Sequence, residues 1–234
     1  KAAGEGVPWG AARERATCLR GLLQRSAELS QGPVQAAQVC EVWTEVQTKM
    51  DQTLRVAIAQ AVPVVQMLGP RQLSHLARQH DKKNEDWDKE WLQGSDSERL
   101  ERRLDKALER YRSFYGELST AQIALVKSQL SQSLWTPEWG RKQRLRRGQD
   151  LLSTLRRLSQ NQVSAAQAES ELFATWQRWL LPPDDTNRNL VPAMTRQSCE
   201  HLAQLHNTTT PEQRQRVARR LQAYERDIRD LLKP

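Results

Sequence analysis

Glycine and phenylalanine are scarce, 10 and 2 in 234 residues. Nowhere do Val, Ile, Thr and aromatic residues alternate strictly with polar ones, so β-sheets lack their raw material. No stretch approaches the ~20 apolar residues that a membrane-spanning helix requires. The longest, Val56 to Leu68, is broken by Gln60, Pro63 and Gln66. Three cysteines (Cys18, Cys40, Cys199) include no close pair, which excludes a zinc knuckle and a dithiol redox motif. His75 and His80 are five apart, as are His201 and His206, so neither pair has the four-residue spacing of ligands sharing a helix face. No glycine-rich phosphate loop and no Ser/His/Asp or Cys/His set stands out. The reading is therefore a non-enzyme with no cofactor, metal or catalytic residue. The chain starts at Lys1 without a hydrophobic leader, so any targeting signal is expected to have been removed.

What is present is charge in helical order. Hydrophobic residues make up 38% and charged ones 27%, a balance that suits long amphipathic helices with a wide solvated face. The net charge is +8, from 36 Lys+Arg against 28 Asp+Glu. A positive balance favours anionic partners. Here acids are interleaved with the bases, which weakens the field and does not favour nucleic acid.

The clearest helix opens on Ser95-Asp96-Ser97-Glu98, a capping box in which Ser95 and Glu98 satisfy each other's main-chain N–H groups. Leu100, Leu104, Leu108, Tyr111 and Tyr115 then form one apolar stripe, and Gly116 ends it. The same grammar, a small or hydroxyl cap followed three residues later by glutamine, recurs. It is found at Leu68-Gly69-Pro70-Arg71-Gln72, Leu118-Ser119-Thr120-Ala121-Gln122, Val163-Ser164-Ala165-Ala166-Gln167 and Thr209-Thr210-Pro211-Glu212-Gln213, and Val34-Gln35-Ala36-Ala37-Gln38 is a degenerate copy without the small or hydroxyl cap. Thr136-Pro137 opens another helix without the glutamine. Helices are predicted near 10–30, 34–66, 70–92, 96–115, 119–133, 137–160, 164–180, 191–206 and 211–232. Pro63 is expected to end or kink the second. The fold class is all-α, an elongated bundle of eight or nine helices. Residues 1–183 form the main region and 184–234 a C-terminal helical hairpin packed on it, with one continuous domain as the alternative. Pro182-Pro183-Asp184-Asp185 through Asn189 reads as an irregular linker.

Two surfaces are candidates for binding. Arg141, Lys142, Arg144, Arg146 and Arg147 put five bases in seven residues and form the candidate anion site. On that reading, reversing Arg144 and Arg147 to glutamate weakens anion binding and leaves folding intact. Lys82 to Trp91 combines dense alternating charge with two indoles. Lys83, Asn84, Trp87 and Trp91 are either a recognition face or a solvated helix whose tryptophans face the core.

Four blocks resemble an uncharacterised family of lipoproteins from Gram-negative bacteria, a domain of unknown function. They are Gln38-Val39-Cys40-Glu41-Val42-Trp43; Lys83-Asn84 with Trp87, Trp91-Leu92, Arg99 and Arg103; Gly116-Glu117-Leu118-Ser119 with Gln122; and Cys199 with Leu202-Ala203 and Leu205 to Arg214. The resemblance runs from about Cys18 to Leu232. Members of the family carry a signal peptide with a lipid-modified cysteine, a leader this chain does not show. The resemblance implies a periplasmic protein tethered to a membrane only through that N-terminal lipid. A weaker resemblance is to small periplasmic helical chaperones, whose helices open on a Leu-Thr-x-x-Gln motif approached by Leu118 to Gln122 and Thr209 to Gln213. In the compartment so implied, disulfides persist. Cys40 and Cys199 lie in the blocks that carry the resemblance, and Cys18 lies where it is poor. The resemblance thus implies a Cys40–Cys199 bridge with Cys18 buried as a small apolar residue; three free buried thiols are the alternative.

The functional expectation is a lipoprotein that works by binding a protein of the cell envelope, as an assembly accessory or a chaperone-like holder. The other expectation is a binder of anionic polymer or lipid head groups through basic helix faces.

Overall fold

A computed structural model describes the backbone of residues 9–160 and 163–231 and the side chains of residues 19–160 and 163–230. Among them every regular element is an α-helix. The nine are α1 (Trp9–Leu29), α2 (Ala36–Gln66), α3 (Pro70–Trp91), α4 (Asp96–Tyr115), α5 (Thr120–Ser131), α6 (Pro137–Gln160), α7 (Ala165–Leu180), α8 (Asp185–Asn207) and α9 (Pro211–Leu231).

The starts are set by local chemistry. Ser95 N donates to Glu98 Oε2 at 2.7 Å and Glu98 N donates to Ser95 Oγ at 3.3 Å. Ser95 Oγ also donates to Glu98 Oε2 at 2.8 Å, and the bonds from the Ser95 main chain, foremost, and from its hydroxyl hold the Glu98 carboxyl below its ordinary range. Four of the five glutamines accept from the cap's N–H: Gln38 from Gln35 at 2.8 Å, Gln72 from Gly69 at 3.1 Å, Gln122 from Ser119 at 2.9 Å and Gln213 from Thr210 at 3.0 Å. Gln167 departs from the rule. Its N–H reaches Ser164 Oγ at 3.2 Å, while its side chain turns to Glu171.

α2 runs to Gln66, the predicted end, so Pro63 does not end it; its ring removes a single main-chain donor, and packing of Ile58, Val62 and Val65 carries the helix past it. One boundary differs from the sequence reading. The expected linker is shorter. α8 starts at Asp185 because Asp184 caps it, accepting from Asn187 N at 3.0 Å and from Asn187 Nδ2, and Pro192 falls inside the helix.

The residues pack as two compact units, each assembled from separated stretches of chain. One combines Lys1–Asp51, Leu104–Leu130 and Arg196–Pro234; the other combines Gln52–Arg103 and Ser131–Thr195. Residues 184–195 thus belong to the second unit and residues 196–234 to the first.

In the first unit α1 packs on α9, where Arg20 pairs with the nearly buried Glu225 at 2.7 Å. Leu104, Leu108, Tyr115, Leu118, Val126, Leu205 and Val217 form its core. Gly116, at a φ of 77° that favours glycine, closes α4. The α4–α5 and α8–α9 turns then bind each other. Gln122 Nε2 donates to Gln213 Oε1 at 2.9 Å and to Thr208 O at 3.1 Å; Gln213 Nε2 donates to Gln122 Oε1 at 3.2 Å and to Glu117 O at 2.8 Å. Each glutamine caps its own helix and ties down the other's turn by equivalent bonds. Near these turns, His206 Nε2 lies 3.0 Å from Gly32 O and Nδ1 lies 3.0 Å from Tyr115 Oη. A carbonyl only accepts, so Nε2 carries the hydrogen, and in the neutral ring the tyrosine then donates to Nδ1. This arrangement needs a neutral imidazole. Burial pushes the His206 pKa down, and the Arg214 charge adds to it against the opposing carbonyl bonds. The same burial pushes the Tyr115 phenol up.

In the second unit α3 packs on α6 and α6 on α7. The core is Ile58, Val62, Val65, Leu73, Leu155, Leu158, Ala168 and Phe173. Here too a turn from early in the chain is tied to one from much later: Gln66 Nε2 donates to Val163 O at 2.9 Å.

Candidate functional site

The basic cluster of α6 faces inward to a degree that charge counting did not indicate. Arg141 pairs with Asp88 of α3. Arg144 Nη2 donates to Lys83 O at 3.3 Å, and its guanidinium sits 5.6 Å from the Trp87 ring centre. Arg146 and Arg147 donate to Arg178 O and Trp179 O, each at 2.7 Å. These carbonyls lie in the last turn of α7, where the helix dipole leaves negative charge. Arg102 does the same for α3, donating to Glu90 O at 2.8 Å and to Gln93 O. Burial pulls the Arg147 guanidinium below its ordinary value, and its neighbour Arg146 adds to that. Only Lys142 of the five is exposed. Part of the basic excess is thus engaged by helix C-termini inside the unit.

These contacts argue against the expectation that Arg144 and Arg147 can be reversed with folding intact. Arg147→Ala removes a charge-assisted bond and leaves Trp179 O without its guanidinium donor. It is expected to lower stability by about 2 kcal/mol. Lys142→Ala should stay within about 0.5 kcal/mol. Denaturant titration of the two variants checks the contrast.

The aromatic face lies in the same interface. Asn84 is buried and its Nδ2 lies 2.9 Å from His80 Nδ1. Trp87 and Trp91 are half-buried and stack at 6.0 Å, and Trp91 meets Trp135 edge-on at 6.2 Å. Of Lys83, Asn84, Trp87 and Trp91, only Lys83 is exposed. The indoles have room because α6 presents glycine to them. A Cβ on Gly140 would lie 2.8 Å from Trp135 and 3.3 Å from Trp87. Gly148, two turns further on, receives the His80 ring. Glycines eight apart on α6 were the signal in the sequence for this close approach.

Cys40 and Cys199 are joined in a disulfide, with Cα atoms 5.5 Å apart. Cys199 is buried and Cys40 half-buried. The side chain of Cys18, expected to be buried, lies outside the described residues. Among those residues no group of three or more His, Cys, Asp and Glu is placed to hold a metal ion, and no helix is long and apolar enough to cross a membrane.

The remaining conspicuous feature is apolar surface. Trp43 and Met50 are exposed in the first unit. In the second, Val64 is 58% exposed, Met67 75% and Leu76 40%, around the joint between α2 and α3. The sequence reading missed this patch. The run from Val56 to Leu68 is apolar all round its helix, so it supplies both core and surface, and the core residues Ile58, Val62 and Val65 account for one side only. No protein-family model matches the chain, and neither a curated protein nor a solved structure is similar to it.

Proposed function

We propose that this chain is a periplasmic lipoprotein, anchored by an N-terminal lipid, that works without catalysis by binding other proteins of the cell envelope as an assembly accessory or chaperone-like holder. The observation that carries the binding part is the set of large apolar side chains left in water, Met67 and Val64 foremost, on an otherwise charged helical surface. The Cys40–Cys199 disulfide supports an oxidising compartment. The alternative, binding of anionic polymers or lipids, draws no support from α6, whose arginines are engaged within the unit.

The test is light scattering from a chemically unfolded model protein diluted into buffer with and without this chain. Suppressed aggregation at equimolar ratio, largely insensitive to salt, is the expected result. No suppression at a large excess, together with salt-sensitive binding to an anionic polymer, would replace this reading by the alternative.

A further inference from the structure

The exposed patch at the α2–α3 joint has a definite chemistry. A cleft of about 490 Å³ is lined by Leu68, Arg71, Gln72, His75 and Leu76. Met67 and Val64, one and four residues before Leu68, are exposed at the same joint. Arg71, His75 and Arg78 recur at helical spacing on α3, so a basic stripe runs beside the apolar one of Leu68 and Leu76. Neither Arg71 nor Arg78 reaches an acid among the described residues, and both are exposed. No acid precedes Arg71 nearby, and the first one beyond Arg78, Asp81 one turn on, makes no ion pair with it. No Asp or Glu occurs from Gln52 to His80, the longest acid-free stretch of the chain. The first turn of α3 also carries no acid, although the positive end of the helix dipole favours one there. Helices placed like this gain from an anion brought from outside.

We infer that this cleft is the docking site for an acidic amphipathic helix of another protein. Its apolar side chains would cover Met67, Leu68 and Leu76, and its carboxylates would meet Arg71 and Arg78. The two arginines are seven residues apart on one face, about 10 Å along the axis, so the matching carboxylates stand two helical turns apart. Charge complementarity at such a rim selects the partner, while the apolar contact supplies most of the affinity. The inference rests on the protein-binding reading and names its site and ligand class.

The experiment uses the full chain and two labelled peptides with the same leucine stripe, one with glutamates at seven-residue spacing and the other with lysines there. Fluorescence anisotropy should show the glutamate peptide binding about tenfold tighter, as two rim ion pairs allow. Arg71→Glu with Arg78→Glu should invert that order. Met67→Ser with Leu76→Ser should weaken both peptides. These residues are exposed, and circular dichroism verifies that the variants remain folded. Equal binding of the two peptides, or an order unchanged in the arginine variant, overturns the inference. So does self-association abolished by Met67→Ser, which would make the occupant a second copy. Charge-dependent binding to phosphatidylglycerol vesicles without peptide binding overturns it in favour of a membrane. If the wild-type chain suppresses client aggregation but shows no peptide preference, only the site fails; if it holds no client, the broader reading fails with it.

Discussion

Reducing the Cys40–Cys199 bridge is expected to lower the free energy of unfolding by about 5 kcal/mol, because the bond closes a loop with a sequence separation of 159 residues. In the chain-entropy picture the effect acts on the unfolded chain, where the crosslink removes a large share of accessible conformations. The native state adds a smaller local cost, since Cys199 is buried and reduction leaves a thiol where a half-cystine was packed. The total is comparable to the whole stability of many domains of this size. Guanidinium titrations with and without reductant, and of Cys40→Ser, measure it. Alkylation of the unreduced, denatured protein should tag one thiol, and after reduction three. Three tags before reduction would remove both the bridge and its support for an oxidising compartment.

Gly148→Ala is expected to destabilise the second unit by about 3 kcal/mol, opposite in sign to what helix propensity alone predicts. Propensity favours alanine over glycine within a helix by about 1 kcal/mol. The added methyl, however, would sit 1.9 Å from His80 Nε2. The ring must swing away, and that breaks its contact with Asn84, whose Oδ1 is already buried without a partner among the described residues. Overpacking and a newly unsatisfied buried amide each cost about 1–3 kcal/mol, which outweighs the propensity gain. A double-mutant cycle with His80→Ala distinguishes the causes. Removing the ring should restore most of the loss in the Gly148→Ala background, and additive effects of the two substitutions would disprove the clash.

Helix existence and most boundaries were legible because caps are local. Ser95 and Glu98, or Thr210 and Gln213, need only each other to define a start. The start of α8 escaped because Asp184 and Asn187 precede no apolar stripe, while Pro192 mimics a first-turn proline. The binding surfaces were less legible for a deeper reason. A run of arginines shows how much charge is present, and not whether a carboxylate, a solvated phosphate or the end of another helix will meet it. For Arg146 and Arg147 the partner is main-chain carbonyl 32 residues away, which carries no signature in the side-chain sequence. The tryptophans left two readings open, and the choice between them lay on α6, where Gly140 and Gly148 provide room for aromatic rings.

The reciprocal glutamines bear on the order in which the molecule can be completed. Gln122 and its hydroxyl cap are all the chemistry that α5 has when it first emerges from a ribosome or a translocation channel. The acceptors for its amide hydrogens, Thr208 O and Gln213 Oε1, arrive 86 and 91 residues later. Until then the α4–α5 turn is a half-built joint with a polar group waiting for a mate. The late turn inherits the same dependence on Glu117 O, 96 residues back. Contacts of such range are slow to form, since the intervening chain must be gathered first. The first unit is therefore completed only once residues 208–213 have been made, and truncation before residue 208 would deprive α5, far upstream of the cut, of its partner.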